Sequence, residues 1–264
     1  MSSTVANTMP SIVGLPAFSD NYIWLLRNSD RSALVVDPGD AAPVEAALKQ
    51  YGLSLSGILI THHHFDHVGG LKTLKSDHEC PVYGPANPNI DGIDIELGAG
   101  DHIVVGDYSF DIITVPGHTL DHIAYYRAGE EPAVFCGDTL FAGGCGRIFE
   151  GNPGMMHESL HRLAALPPET AVYCAHEYTL ANLAFARAAD PDNDDLQQRE
   201  AKALALRAKG IPTVPSTIAL ELATNPFLRS ADAQLAEGLE STGRGAGGDP
   251  VEVFAGLRAW KDQF

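Results

Sequence analysis

Residues 61–70, THHHFDHVGG, place four histidines and one aspartate in seven consecutive positions, directly after the apolar run ILI. His62 and His64 are two positions apart and so point the same way from an extended segment, while Asp66 and His67 follow where a helix can begin. One segment therefore offers two pairs of candidate metal ligands. Imidazoles and carboxylates without thiolates suit zinc first, with iron or manganese as alternatives.

Other apolar runs also lead into candidate ligands. The runs IITVPG, VFCG, VYCA and LVV precede His118, Asp138, His176 and Asp37, as ILIT precedes His62. In open α/β sheets, ligands bind outside the carboxyl ends of the strands. If these runs are strands, the histidines and aspartates that follow them lie close together. The sequence therefore predicts one site at the strand ends.

The number of candidate ligands exceeds what one tetrahedral ion binds, but it fits two ions. The predicted division places His62, His64 and His118 on the first ion, Asp66, His67 and His176 on the second, and Asp138 between them. Two ions roughly 3.5 to 4 Å apart can deprotonate a shared water at neutral pH, which is the nucleophile of a hydrolase. The predicted catalytic residues are Asp138, Asp66 and His62.

The elements that must position these residues change in character near His176. Before it, short β-type runs alternate with turns: YIWLL, ALVVD, GILIT, HIVV, YSFDIITVPG, HIAYY, AVFCGD and AVYCAH. Helical patterns in this part are APVEAALKQYG, HVGGLKTLKSD and GMMHESLHRLAAL. Beyond it, DNDDLQQREAKALALRAKG and residues 250–261 read as helices, with the loop STGRGAGGD before the last one. The sequence predicts a domain over residues 1–175 and a helical domain over residues 176–264.

Composition limits the classes of partner. With 264 residues and 45% apolar content, the chain can bury a substantial core, and its formal net charge of −17 repels nucleic acids and anionic membrane surfaces. No run approaches the roughly 20 apolar residues of a membrane span, and the start MSSTVANTMP lacks the pattern of a signal peptide. We expect a cytoplasmic protein with a small-molecule substrate, acting as a monomer, with a homodimer as the alternative. Two ions would add local positive charge for an anionic substrate.

Several motifs carry a resemblance to a known family. THHHFDH resembles the THxHxDH signature of the metallo-β-lactamase superfamily, and GHT, CGDTLF and CAHEYT are similar to its glyoxalase II branch, the hydroxyacylglutathione hydrolases. GCGRIFEG, NPFLR and LRAWKDQF extend the resemblance over nearly the whole chain. The resemblance implies a four-layer αββα fold of the α/β class with a C-terminal helical domain. It also implies hydrolysis of S-D-lactoylglutathione to D-lactate and glutathione by a metal-bridged hydroxide, the second step of methylglyoxal detoxification.

The resemblance also implies substrate contacts. Tyr178 matches a contact to the glutathione moiety, and Arg258 and Lys261 match the pair that holds the glycine carboxylate. Arg147 stands where some members have lysine and keeps the positive charge. Phe149 stands where some members have a tyrosine that contacts the ligand, so one hydroxyl is missing there.

The remaining polar residues receive simpler interpretations. Asp37 is expected to orient a ligand histidine through its second ring nitrogen, with the capping of a turn as the alternative. His63 should face away from the ligands. Surface or helix histidines are expected at His78, His102, His122, His157 and His161. Two other functions remain open: a persulfide dioxygenase with a single iron, and a protein that binds metal without catalysis.

Overall fold

The computed structural model describes residues 11–245 and 247–264. The N-terminal segment MSSTVANTMP, on which the predicted location rests, lies outside these residues. In the described part, no helix combines the length and the apolar character that crossing a bilayer requires. All four cysteines are buried and free.

Two mixed sheets form the centre of the structure. In chain order, the strands of these sheets and of one small hairpin are β1 (Ile12–Ala17), β2 (Asn21–Arg27), β3 (Ser32–Val36), β4 (Ser54–Leu59), β5 (Val82–Pro85), β6 (Ile95–Leu97), β7 (His102–Val105), β8 (Tyr108–Thr114), β9 (Ile123–Arg127), β10 (Ala133–Gly137), β11 (Leu140–Phe141), β12 (Gly144–Cys145), β13 (Ala171–Cys174) and β14 (Ser216–Thr217). The first sheet has the order β1-β2-β3-β4-β5-β6, and the second has the order β14-β13-β10-β9-β8-β7. Strands β11 and β12 form a separate hairpin that follows β10.

Helices cover the outer faces of the two sheets. In chain order they are α1 (Ala41–Tyr51), α2 (Phe65–Val68), α3 (Leu71–His78), α4 (Pro153–Ala164), α5 (Thr179–Ala189), α6 (Asp194–Arg207), α7 (Ile218–Thr224), α8 (Ala233–Ser241) and α9 (Pro250–Lys261), with a 3-10 turn at Pro226–Leu228 before α8. Alternation along β2 explains the layering, because successive side chains of a strand face opposite sides. Trp24 and Leu26 pack into the core that includes the second sheet, whereas Ile23 and Leu25 pack with α1 and α3. The four-layer αββα fold is confirmed.

The structure departs from the sequence-based elements in several places. The predicted helix HVGGLKTLKSD is interrupted between α2 and α3, because the Gly70 N–H donates to the distant Pro38 carbonyl oxygen at 2.9 Å. The close approach requires glycine, since a Cβ on Gly70 would lie 2.5 Å from the Ala41 nitrogen. Helix α8 was not indicated by the sequence. The predicted loop after it includes position 246, which lies outside the described residues.

The C-terminal part is not purely helical. Its strand β14 pairs antiparallel with β13, with Ser216 opposite Val172 and Thr217 opposite Ala171. The second sheet is thus completed by a segment from beyond residue 176. The division into domains 1–175 and 176–264 stays a prediction.

Candidate metal centre

The carboxyl ends of strands from both sheets meet at one place. The segment after β4 carries His62, His64, Asp66 and His67, while His118 follows β8, Asp138 follows β10 and His176 follows β13. Their donor atoms form groups within 4.8 Å, namely His62–His64–His118, His62–His67–Asp138 and Asp66–His67–His176. The structure therefore brings all seven predicted ligands together.

Asp138 lies between the group His62–His64–His118 and the group Asp66–His67–His176. Its Oδ2 is 3.4 Å from His118 Nε2, and its Oδ1 is 3.3 Å from His176 Nε2 and 3.5 Å from His67 Nε2. One carboxylate oxygen faces each group. This is the placement that a bridging ligand needs.

Acceptors behind the histidines fix which ring nitrogen faces the centre. His67 Nδ1 is 3.0 Å from Asp37 Oδ2, His176 Nδ1 is 2.8 Å from Asp20 Oδ1, and His118 Nδ1 is 2.7 Å from the Arg147 carbonyl oxygen. A carboxylate or carbonyl only accepts, so each Nδ1 carries the proton. In the neutral ring, Nε2 then presents a lone pair to the centre, as metal-binding histidines do.

His62 is oriented through a relay to the same carboxylate. Thr61 donates its backbone N–H to Asp37 Oδ1 at 2.8 Å and its hydroxyl to Asp37 Oδ2 at 2.7 Å. The Thr61 oxygen is then available to accept a hydrogen bond from His62 Nδ1, 3.0 Å away. Asp37 itself is buried and has a φ of 52°, a left-handed conformation that aspartate tolerates better than most residues.

Buried nitrogen and oxygen atoms without hydrogen-bond partners show that a cation fits this site. Within the described part of the chain, Nε2 of His62, Nε2 of His67 and Oδ1 of Asp138 are buried without a hydrogen-bond partner. Such an unsatisfied atom costs about 1 to 3 kcal/mol in a protein interior. His64 Nδ1 and His118 Nε2 also face each other at 3.0 Å. A site with this donor set is a divalent metal centre.

The electrostatics of these groups agree with that assignment. Burial raises the pKa of Asp138, but His67 and His176 outweigh it and hold the pKa well below its usual range. Burial lowers the pKa of His176, whereas the carboxylates of Asp138 and Asp66 raise it to about 10. The protein groups alone therefore retain protons between these side chains. A cation replaces those protons, so its binding releases them.

A cavity of about 490 Å³ leads from this centre to α9. It is lined by the predicted substrate contacts Arg147, Phe149, Tyr178, Arg258 and Lys261, and by Phe141 and Cys145. The Tyr178 ring stacks on His176 with 4.6 Å between centroids, and the Phe149 ring meets His118 edge-on at 5.2 Å. One end of the cavity thus carries metal-binding side chains and the other end carries cations.

The prediction for His122 was wrong. This histidine is buried, its ring stacks on His62 at 4.5 Å, and its Nε2 accepts the backbone N–H of Asp138 at 3.1 Å. Burial and the neighbouring His118 lower the pKa of His122 to about 3, so the ring is neutral and supports the ligands from behind. Its position directly before the run IAYY, four residues after His118, was the available signal.

Two other contributors were also missed. Asp20 holds His176, and Asn21 donates from Nδ2 to Asp66 Oδ2 at 2.9 Å. Both residues directly precede the run YIWLL. Two adjacent polar residues at the start of a strand were the only feature of the sequence that could have indicated their role. His63 turns away from the centre, with Nδ1 3.0 Å from Asp121 Oδ1.

Family models match both parts of the chain. The metallo-beta-lactamase superfamily matches residues 17–176, and the hydroxyacylglutathione hydrolase C-terminus matches residues 177–264. A hydroxyacylglutathione hydrolase of Ectopseudomonas mendocina (strain ymp) is 55% identical over 258 residues, which are 97% of this chain and 100% of that relative. The enzyme of the same name from Hahella chejuensis (strain KCTC 2396) is 47% identical over the same shares of the two chains.

Solved structures share the fold at lower identity. ETHE1 from Myxococcus xanthus has a TM-score of 0.64 and 26% identity, covering 95% of this chain and 97% of its own. TTHA1623 in a di-iron-bound form has a TM-score of 0.58 and 27% identity, covering 82% and 99%. The BLEG-1 B3 metallo-beta-lactamase, at 24% identity with a TM-score of 0.63 over 82% and 99%, shows the fold alone.

Proposed function

The chain belongs to the hydroxyacylglutathione hydrolases of the metallo-beta-lactamase superfamily, and we propose that it hydrolyses S-D-lactoylglutathione to D-lactate and glutathione at a centre of two divalent cations. One observation carries this proposal. A single cavity connects the cluster of metal-binding side chains to a cationic end built by the C-terminal helix α9. A glutathione thioester has a reactive carbonyl and a remote carboxylate, which match these two ends.

The chain's own side chains divide into two ligand sets. His62, His64 and His118 would hold one cation, Asp66, His67 and His176 the other, and Asp138 would bridge them. Zinc suits this donor set first, with iron and manganese as alternatives. Bound cations supply a Lewis acid for the thioester carbonyl and a water that is deprotonated at neutral pH.

The protein positions the substrate and the proton. Asp138, between both groups, would accept a hydrogen bond from the attacking water, with Asp66 and His62 as the other predicted catalytic groups. Arg258 and Lys261 would bind the glycine carboxylate, since a guanidinium and an ammonium match its charge. The leaving thiolate has a conjugate thiol with a pKa of roughly 8.5, so its departure needs no general acid from the protein.

Tyr178 and Phe149 would form the walls between these ends. Tyr178 stacks on His176 and lines the cavity. Phe149 contacts His64 and His118 through its ring edge and has no hydroxyl to offer. We expect weaker substrate binding from that missing group and no loss of turnover.

The single-iron persulfide dioxygenase is not favoured. Two ligand groups without a shared residue support two cations, and the family model of the hydrolase C-terminus matches residues 177–264. The place in methylglyoxal detoxification, the cytoplasmic location and the monomeric state stay predictions.

A thiol-release assay after metal quantification tests the proposal. We expect two divalent cations per chain and release of glutathione from S-D-lactoylglutathione, with loss of both after chelation. Oxygen uptake on glutathione persulfide should be absent. One iron per chain together with oxygen uptake would reject the hydrolase, and metal binding without any thioester turnover would favour a non-catalytic protein.

A further inference from the structure

An acidic residue lies beside two of the cations that line the cavity. Asp262 directly follows α9, and its Oδ1 accepts a hydrogen bond from Arg258 Nη2 at 3.0 Å. The same oxygen is 3.4 Å from Arg147 Nε. Two guanidinium groups from distant parts of the sequence therefore share one carboxylate oxygen.

We propose that Asp262 is a positioning residue for recognition of the substrate carboxylate: it holds Arg147 and Arg258 side by side at the end of the cavity. This inference rests on the proposed function. It extends that function to a residue that does not itself line the cavity.

The two arginines need this support to different degrees. Arg258 is buried, donates from Nη1 to the Cys145 carbonyl oxygen at 3.0 Å, and lies 5.1 Å over the Phe227 ring. The Arg147 side chain is 56% exposed, and Asp262 is its ion-pair partner among the described residues. A free arginine side chain carries roughly 2 kcal/mol of rotamer entropy, so the shared carboxylate chiefly orders Arg147.

The shared carboxylate also reduces repulsion between like charges. Arg147, Arg258 and Lys261 all line the same cavity. Three cations and one anion leave a net charge of about +2, which still attracts a carboxylate.

The geometry indicates that Asp262 supports the substrate and does not compete with it. On Arg147 it engages Nε, which leaves the terminal amino groups for a second carboxylate. On Arg258, Nη2 donates one N–H to Asp262 and keeps a second N–H. Both guanidinium groups thus retain donors for a ligand while they bind Asp262.

Variants at this position test the inference with two substrates. The first substrate is S-D-lactoylglutathione, and the second is the same thioester with the glycine carboxylate converted to an amide. We expect Asp262→Ala to raise KM for the first substrate about five- to tenfold at unchanged kcat, the effect of one lost charge-assisted contact. KM for the amide substrate should equal that of the wild type. Asp262→Asn should have a smaller effect, because its amide oxygen still accepts a hydrogen bond.

A matched control removes one negative charge from α9 itself. Glu252 is exposed in the first turn of this helix, and Glu252→Gln should leave both KM values unchanged. A lower KM for Asp262→Ala would show competition with the substrate, and equal increases for both substrates would show a general structural role. Either result overturns the inference, as does an unchanged KM. Failure of the wild type to hydrolyse either thioester would instead reject the proposed function.

Discussion

At the scale of single residues, Asp37 links three parts of the metal centre through one carboxylate. It contacts His67 Nδ1, the Thr61 hydroxyl and the Thr61 backbone N–H, and through Thr61 it reaches His62. Each of these contacts requires an acceptor. Asp37 therefore orients two histidines that belong to different predicted ligand sets.

Asp37→Asn should weaken metal binding. Asparagine tolerates the left-handed backbone at this position, but its amide group replaces one acceptor oxygen by a donor. The loss of a partner behind a ligand histidine typically lowers metal affinity about 10- to 100-fold. Competition with a chromophoric chelator measures this change, and Asp91→Asn at an exposed site is the control. Wild-type affinity in Asp37→Asn would contradict the role of Asp37.

Lys261 should give substrate binding a pH dependence. Burial and then the charge of Arg258 lower the pKa of Lys261 to about 8. The ammonium is therefore charged below pH 8 and lost above it, so KM should rise as the pH increases. From pH 7 to 9 we expect roughly a five- to tenfold rise, since about one tenth of the groups stay charged one unit above the pKa.

The comparison with Lys261→Arg isolates this group. A guanidinium stays charged over the whole range, so the rise in KM should disappear in that variant. Initial rates corrected for spontaneous thioester hydrolysis provide the measurement. The same alkaline rise in Lys261→Arg would assign the dependence to another group.

The convergence of the seven candidate ligands was predictable from sequence because the segments that carry them follow apolar runs, a local signal. The groups behind them were not. Asp20 reaches His176, which lies 156 positions later in the chain, and Asn21 reaches Asp66. The first pair depends on how the start of β2 lies beside the end of β13, and the second on how it lies beside α2. Only the tertiary fold determines both arrangements. His122 was misassigned for the same reason.

At the scale of elements, a buried ion pair holds the hairpin β11–β12 from behind. Glu221 in α7 is fully buried, forms an ion pair with Arg199 in α6, and accepts the backbone N–H of Gly143 through Oε2 at 2.9 Å. Asn225 donates from Nδ2 to the Gly144 carbonyl oxygen at 2.9 Å. The hairpin also carries two residues that line the cavity, so the helical part supports the cavity wall.

Glu221→Gln should destabilise the protein strongly. The change leaves Arg199 charged and buried without its counter-ion, which typically costs about 3 to 5 kcal/mol. The free energy of unfolding from urea titration measures the loss. Glu200 pairs with Arg187 in a half-exposed site, so Glu200→Gln should cost no more than about 1 kcal/mol. Equal losses in the two variants would contradict the structural role of the buried pair.

The elements themselves were largely predictable from local patterns. The eight β-type runs of the sequence are strands. Helix α1 is capped by Gly52 in the left-handed conformation, as a glycine after the predicted helix indicates. The break between α2 and α3 and the short strand β14 were not predictable. Both arise from contacts with distant backbone: Gly70 approaches Ala41, and Ser216 pairs with Val172.

At the scale of the whole molecule, the metal centre joins the two sheets. Asp37 and the segment after β4 belong to the first sheet, whereas His118, Asp138 and His176 follow strands of the second. Cations held between these strand ends would therefore connect both halves of the sandwich. Metal binding should contribute to global stability as well as to catalysis.

Removal of the cations should lower the melting temperature. A ligand that binds only the folded state at about 1,000 times its Kd stabilises it by about 4 kcal/mol. At roughly 2 to 4 °C per kcal/mol for a chain near this size, chelation should lower Tm by about 10 °C. Scanning calorimetry before chelation, after chelation and after re-addition of metal measures the change and its reversal.

The control is a variant that lacks the proposed bridging ligand. Asp138 is placed to contact both cations, so Asp138→Ala should bind them weakly, and its Tm should respond little to the chelator. The difference between the Tm changes of the two proteins then measures the stabilisation by bound metal. It also excludes a direct effect of the chelator on the fold. An unchanged Tm of the wild-type protein after complete metal removal would show that the two sheets are held together by their shared apolar core alone.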